Sequence, residues 1–161
     1  MARRVFYSFH FDGDCMRSNL VRNMGAIDGN KPAHSNDWEQ VKRAGDQAIK
    51  NWIDGQLQGR SCTIVLVGAK TADRPWVQYE IQRSWSLRKG LFGIYIHNLR
   101  DPQRGQSAQG ANPFARVWPS SGHVVPIHAP PSSDSQQVYA YIAANIESWI
   151  DQAVAFRASQ S

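Results

Sequence analysis

Cysteine is scarce in this 161-residue chain: there are two, Cys15 and Cys62. Two thiols can build neither a disulfide framework nor a four-thiolate zinc site. Cys62 lies in the apolar run SCTIVLV and reads as buried packing, whereas Cys15 falls in a polar loop as a free thiol. No arginine follows Cys15 at the spacing of a phosphatase loop. The histidines His34, His97, His123 and His128 lack metal-ligand spacing, so no metal is expected. Glycine-rich phosphate signatures are missing too, since VLVGAK holds one glycine and no P-loop pattern. No apolar run approaches the roughly 20 residues of a membrane span. The opening MARRVFYSFHF passes from two arginines straight into a strand-like run, with no signal-peptide pattern. The expectation is a soluble, cytoplasmic protein in a reducing compartment, with no membrane partner. Nothing resembles a nucleic-acid module, and the densest basic run, VKRAGDQAIK, reads as a solvated helix face.

What is present describes a globular chain. With 42% apolar and 19% charged residues it can bury a core, and its length suits a single domain, taken as residues 1–156 with a frayed tail at 157–161. The net charge of +5 suits an anionic ligand such as a nucleotide or phosphate and would also suit nucleic acid, so charge alone does not choose. RVFYSFHF (4–11) reads as a buried strand, and DGDCMRSNLVRNM turns helical through Met16, Leu20 and Met24. GAIDGNKPAHSND reads as a loop, and the spacing from Trp38 to Leu57 is that of an amphipathic helix. GRSCTIVLVG (59–68) and LFGIYIHN (91–98) are continuous apolar runs of the kind covered on both faces in a parallel sheet. Between them a helix is expected up to about Lys89, with Gly90 stopping it. Residues 99–122 read as loop. HVVPIHA (123–129) reads as a short strand that Pro126 assigns to a sheet edge, and a helix over about 136–156 closes the chain, Trp149 on its core stripe. Trp52 likewise reads as core. Alternating strands and helices imply an α/β fold, a three-layer sandwich on a mainly parallel central sheet with a C-terminal helix.

In such sheets ligands bind beyond the carboxyl ends of the strands. That rule selects SFHF, the loop after VLVG and the loop after YIHN. Just past this edge lies RPWVQYEIQRS (74–84), with one carboxylate, Glu80, four residues after Trp76. At about 100° per residue, Trp76, Glu80, Arg83 and Leu87 share one face, while Val77, Ile81, Ser84 and Trp85 form the core stripe. Two readings stand. Glu80 is either a solvated helix glutamate paired with Arg83 or Arg74, or a cleft carboxylate with an indole wall that suits a cationic heteroaromatic group and its sugar. His10, at a strand end, is equally open between ligand contact and a satisfied imidazole.

RVFYSFH, then SCTIVLVGAKTADRPWVQYEIQRSWSLRKGLFGIYIHNLRD, resemble the TIR-domain family in order and spacing: strand, polar loop, Trp-x-x-x-Glu helix, glycine, buried strand. The start MARRVFYSFHF, the central RPWVQYEI and the later GANPF (110–114) resemble more closely the bacterial TIR-like proteins of Thoeris anti-phage defence, the ThsB type. The resemblance spans about residues 3–115. It implies a flavodoxin-like fold that cleaves or cyclises NAD+ as substrate, without a cofactor. It assigns the catalytic glutamate to Glu80 and the aromatic wall to Trp76. Phe9 and His10, with Phe11 beside them, fall where relatives line the nucleotide cleft. The loop from about Gly29 to Trp38 falls where relatives close over ligand or pack on a neighbouring subunit. Relatives often carry a basic residue after the first strand. Here that place holds His10 and Phe11, so the phosphate contacts pass to Arg17 or Lys42. The implied partners are further copies of the chain, a phage-derived trigger and an effector reached through the nucleotide product.

One carboxylate is chemically sufficient for such a reaction. Ordinary glycoside hydrolysis uses two, one to protonate the leaving oxygen. The nicotinamide of NAD+ is already cationic and leaves neutral, so the remaining task is to stabilise an oxocarbenium-like transition state. Water then gives ADP-ribose; a hydroxyl or ring nitrogen on the adenosine side gives a cyclic product. Two other readings remain at this stage: a non-enzymatic TIR interaction module, and a deoxyribosyltransferase-like enzyme with Glu80 as nucleophile.

Overall fold

The computed structural model describes residues 3–24, 27–29, 43–119 and 125–160. Its strands are β1 (Arg3–Phe9), β2 (Ile27–Gly29), β3 (Cys62–Val67), β4 (Gly90–Tyr95) and β5 (Ile127–His128). They form one sheet in the order β2-β1-β3-β4-β5, with every pairing parallel. Its helices are α1 (Phe11–Arg22), α2 (Asp46–Leu57), α3 (Pro75–Ser86), the short α4 (Pro113–Val117) and α5 (Ser135–Ser159). This is the flavodoxin-like arrangement expected. Its strand order reverses direction between β1 and β3, which makes their carboxyl ends the switch-point crevice.

The pleat sorts the continuous apolar runs into two cores. Val5, Tyr7, Cys62, Ile64, Leu66, Phe92 and Ile94 pack under α1 and α5, with Ile142, Ile146 and Ile150 of α5. On the other face Val65, Val67 and Leu91 meet Val77 and Ile81 of α3 and Phe114 of α4. Phe6 meets Ile49, Ile53 and Leu57 of α2. Every residue of β3 is buried, which is why its sequence shows no polar alternation.

The boundaries differ from expectation in ways with local causes. β2 lies inside the stretch read as loop; three residues carry too little pattern to stand out, and their place comes from pairing Ile27–Gly29 with Arg3–Val5. Gly45, at φ 94°, is where α2 begins, so the periodic stretch counted from Trp38 is not helical across that residue. α3 ends at Ser86 rather than near Lys89, and the left-handed residue that turns the chain is Arg88 (φ 62°), not Gly90, which already opens β4. Cys15 sits within α1 rather than in a loop. α4 breaks the stretch read as loop: Asn112 accepts from the amides of Phe114 and Ala115, and Pro113 fills the first turn. β5 is an edge strand, as Pro126 indicated, and the Pro126 carbonyl accepts from Gly93. The tail does not fray at 157. α5 runs to Ser159, with Arg157 6% exposed, 4.1 Å over the Trp85 ring and bonded to the Trp85 carbonyl.

Candidate active site

Ser8 of β1 and Thr63 of β3 place hydroxyls beside the apolar Phe6, Val65 and Val67, and both point to α3. Alternation puts Phe6 and Ser8 on one face of β1, and Thr63, Val65 and Val67 on the same face of β3, with Ser8 in register with Val65 and Phe6 with Thr63. Opposite them, Glu80 and Ser84 stand one helical turn apart. Ser8 Oγ donates to Glu80 Oε1 at 2.8 Å. Ser84 Oγ donates to the Glu80 carbonyl at 2.6 Å and lies 2.7 Å from Thr63 Oγ1. Ser8, Thr63 and Ser84 are at most 1% exposed and Glu80 is 8% exposed. A glutamate has been drawn between helix and sheet, where charged side chains are rarely found without a partner.

That partner is missing among the described residues. Arg83, expected as a possible mate, instead donates to Asp54 of α2 at 3.0 Å, as does the Tyr79 hydroxyl at 3.2 Å. Burial pushes the Glu80 carboxyl up to about 8, against the smaller pull of the Ser8 hydrogen bond, which favours the charged form. The carboxyl is therefore mostly protonated at neutral pH. Solvated-glutamate behaviour does not fit this environment.

The other expected residues are arranged as follows. Trp76 is half-buried, edge-on to Tyr79 at 5.9 Å, and packs on the Phe6–Ile49–Ile53–Leu57 cluster one turn before Glu80. Phe9 points to the opposite face of the sheet from Ser8, packs on the α1/α5 core and stacks on Phe11 at 6.3 Å. β1 thus brings Ser8, not Phe9, to the carboxylate. His10 follows β1 with its imidazole against Gly13, where an added Cβ would lie 2.7 Å from Nδ1. Burial first, then the charge of Arg74, holds His10 below the usual histidine range, with Lys70 adding to the effect and Asp14 and Asp12 opposing it. Trp38 and Lys42 lie outside the described residues, as do His34, His123 and most of the Gly29–Trp38 loop.

Arg17 is not available as a phosphate ligand. It is 2% exposed and fully committed: it pairs with Asp14 at 2.7 Å and donates to the carbonyls of Gly13, Leu99 and Gly105. This clamp ties the start of α1 to the loop after β4. Asp14 in turn abuts Gly68, where a Cβ would overlap its carboxylate, and a Cβ on Gly110 would overlap the Gly68 carbonyl. The GANPF stretch is therefore laid over the end of β3. Lys70 and Arg74, both exposed on the loop between β3 and α3, are the cations flanking His10.

The described residues hold no group of three or more His, Cys, Asp and Glu side chains that could bind a metal, and none of their helices is long and apolar enough to cross a membrane. Cys62 is buried and Cys15 half-buried, and burial raises both thiols, the reverse of an activated nucleophile.

Sequence reading passed over Ser8, Thr63 and Ser84. A signal existed: single hydroxyl residues interrupt the apolar strands, and Ser84 stands four residues after the carboxylate. Strand register was needed to bring them together.

A family model described as "Thoeris protein ThsB, TIR-like domain" matches residues 6–101, which include Ser8, Thr63, Glu80 and Ser84. A protein of Bacillus cereus described as "Putative cyclic ADP-D-ribose synthase ThsB1" is 39% identical over 119 residues, covering 71% of this chain and 62% of that protein. The chain thus spans less than two thirds of that relative's length. With more than half of its residues under the family model and a TIR-like fold around a Trp-x-x-x-Glu helix, the chain belongs to the family of Thoeris ThsB TIR-like domain proteins.

Proposed function

We propose that the chain is a TIR-type NAD+ glycohydrolase/cyclase, which breaks the nicotinamide–ribose bond and produces a cyclic ADP-ribose-type nucleotide as a signal in anti-phage defence. The observation that carries this reading is Glu80, a carboxylate buried beside the sheet's switch point with a serine but, among the described residues, no cation to neutralise it. Such a group is costly to ionise in a buried position and gains most when positive charge arrives. The pyridinium of NAD+ brings that charge, drawing the Glu80 proton off to solvent. As the C1′–N bond breaks, its electron pair leaves with nicotinamide and the positive charge moves onto the ribose. A buried, fixed carboxylate stabilises that charge more strongly than water would. Water or an adenosine-side nucleophile then bonds to C1′. The description of the Bacillus cereus relative as a cyclic ADP-D-ribose synthase favours the cyclic outcome.

Lys70 and Arg74 complete the reading in place of Arg17. Their joint effect on His10 marks a positive field at the crevice mouth, suited to a diphosphate. Self-association, a phage-derived trigger, a cytoplasmic setting and an effector reached through the nucleotide belong to the same proposal. The test is nicotinamide release from NAD+, followed by chromatography, with purified chain triggered in extracts of phage-infected cells. Release from the wild type and at least a thousandfold less from Glu80→Gln is the expected result. Equal release from both proteins removes Glu80 from the mechanism.

A further inference from the structure

We propose that Ser8 is a positioning residue that holds Oε1 of Glu80 and leaves Oε2 to face the ribose. This rests on the catalytic reading of Glu80 and assigns its two oxygens different tasks. The Ser8 hydroxyl donates to Oε1 at 2.8 Å, and no hydrogen bond from a described residue reaches Oε2. The backbone beneath the carboxylate is fixed separately, because Ser84 bonds the Glu80 carbonyl and itself rests on Thr63 of β3. The glutamate side chain is thus held by a hydroxyl of β1, and its main chain by Ser84 of its own helix, which is braced by Thr63 of the adjacent β3, all of them buried. A hydroxyl is suited to the task. It stabilises the ionised carboxylate through one donated bond without supplying a countercharge, which would weaken the attraction for a developing cation.

Among the described residues, the other charged groups near the site have different partners or positions. Arg83 and Asp54 face each other across α2 and α3 with Tyr79. His10, Lys70 and Arg74 lie at the crevice mouth and Asp14 is sealed against Arg17. None of them is among the causes of the Glu80 shift, which among the described residues are burial, raising it, and the Ser8 hydrogen bond, lowering it.

The decisive experiment titrates the carboxyl directly and needs no turnover. The chain has three glutamates, Glu39, Glu80 and Glu147, so side-chain carboxyl 13C NMR of glutamate-labelled protein gives a simple spectrum, with Glu80 assigned from its absence in Glu80→Gln. Ser8→Ala is expected to move the Glu80 midpoint upward by about one pH unit. Thr63→Val, which loosens the same network without touching the carboxylate, is expected to leave it in place. An unchanged midpoint in Ser8→Ala, or an equal move in Thr63→Val, overturns the proposal whatever the enzyme does. Where NAD+ cleavage is measurable, the kcat/KM profile of Ser8→Ala should rise through the same higher midpoint, with about tenfold loss at pH 7 and a smaller loss on the alkaline plateau. A profile superimposable on wild type overturns Ser8 while leaving Glu80 intact. A shifted NMR midpoint with no cleavage by wild type triggered in infected-cell extract retains the hydrogen bond's role and rejects the reaction.

Discussion

Of the buried carboxylates at the carboxyl edge of the sheet, Asp14 and Glu80 are treated in opposite ways. Asp14 is 2% exposed and meets the guanidinium of Arg17, whose remaining donors go to three carbonyls. Glu80 is 8% exposed and meets one serine hydroxyl. The first is neutralised and serves the fold, because removing either partner strands a buried charge. The second has no cation beside it among the described residues, which does nothing for the fold and, on the proposed reading, serves a cationic transition state. The contrast separates a clamp from a site without reference to any relative.

The largest effect that could break this comparison is on catalysis. Glu80→Gln keeps the size of the side chain and an oxygen for Ser8, yet cannot carry negative charge. It is expected to lower nicotinamide release by a factor of about a thousand, or about 4 kcal/mol of transition-state stabilisation. Asp14→Asn should act instead through unfolding, so its residual activity per folded molecule should stay within about tenfold of wild type. A folded Asp14→Asn protein that is as inactive as Glu80→Gln would erase the distinction.

The clamp comes next. Arg17→Met preserves the aliphatic stem but abandons the Asp14 charge in the interior, which is expected to cost about 3–5 kcal/mol. For a chain of this length that lowers the melting temperature by about 10 °C in a calorimetric scan. A variant melting with wild type and failing to bind NAD+ would return Arg17 to the ligand.

Glu80 should show the opposite sign in stability. Its carboxyl holds the proton up to about pH 8 in the folded chain, against 4.5 for a free side chain. Between those values the native state binds more protons than the unfolded one. Stability from this group is therefore complete below about pH 4.5, falls as pH rises, and is lost by about pH 8. Glu80→Gln escapes the loss. Its stability relative to wild type should be near zero at pH 4 and grow to about 2–4 kcal/mol at pH 8, measured by urea unfolding at both values. A gap independent of pH would mean that Glu80 is not buried as a carboxyl.

How much of this was legible beforehand follows from what each feature depends on. The strands β1, β3 and β4 were readable because burial on both faces leaves an unbroken apolar run. The edge strand β5 was readable from Pro126. β2 was not, since three residues take their place from a neighbour's hydrogen bonds. α4 could have been read from Asn112-Pro113, a cap and a first-turn residue in sequence. Glu80 was found from its place after β3, but spacing alone put it on the helix margin with Arg83. Burial instead carried it to Ser84's side, toward the sheet, and the Asp54 carboxylate of α2 drew Arg83 away. Ser8 and Arg17 were misjudged for the same reason: a side chain's partner across 72 or 82 residues is set by register, which no local pattern encodes.

The smallest effect concerns the rim. Lys70 and Arg74 are exposed, and Arg74 opens α3 without making a side-chain cap, so their removal should leave the melting temperature almost unchanged. Neither forms an ion pair with a described residue, so their charge is free to act on whatever enters. The joint Lys70→Ala and Arg74→Ala change should raise KM for NAD+ about fivefold at low salt with kcat held, roughly 1 kcal/mol of binding. Half-molar salt should close most of that gap, because the screening length then falls to a few ångströms. His10 reports the same field without substrate. Arg74 and Lys70 both depress its protonation, so its NMR midpoint should rise in the double variant. If the midpoint rises and KM does not, the positive field is real but the diphosphate lies elsewhere. If neither moves, the rim is as bland as the solvated arginines around it, and the contrast between clamp and site narrows to Glu80 and Ser8 alone.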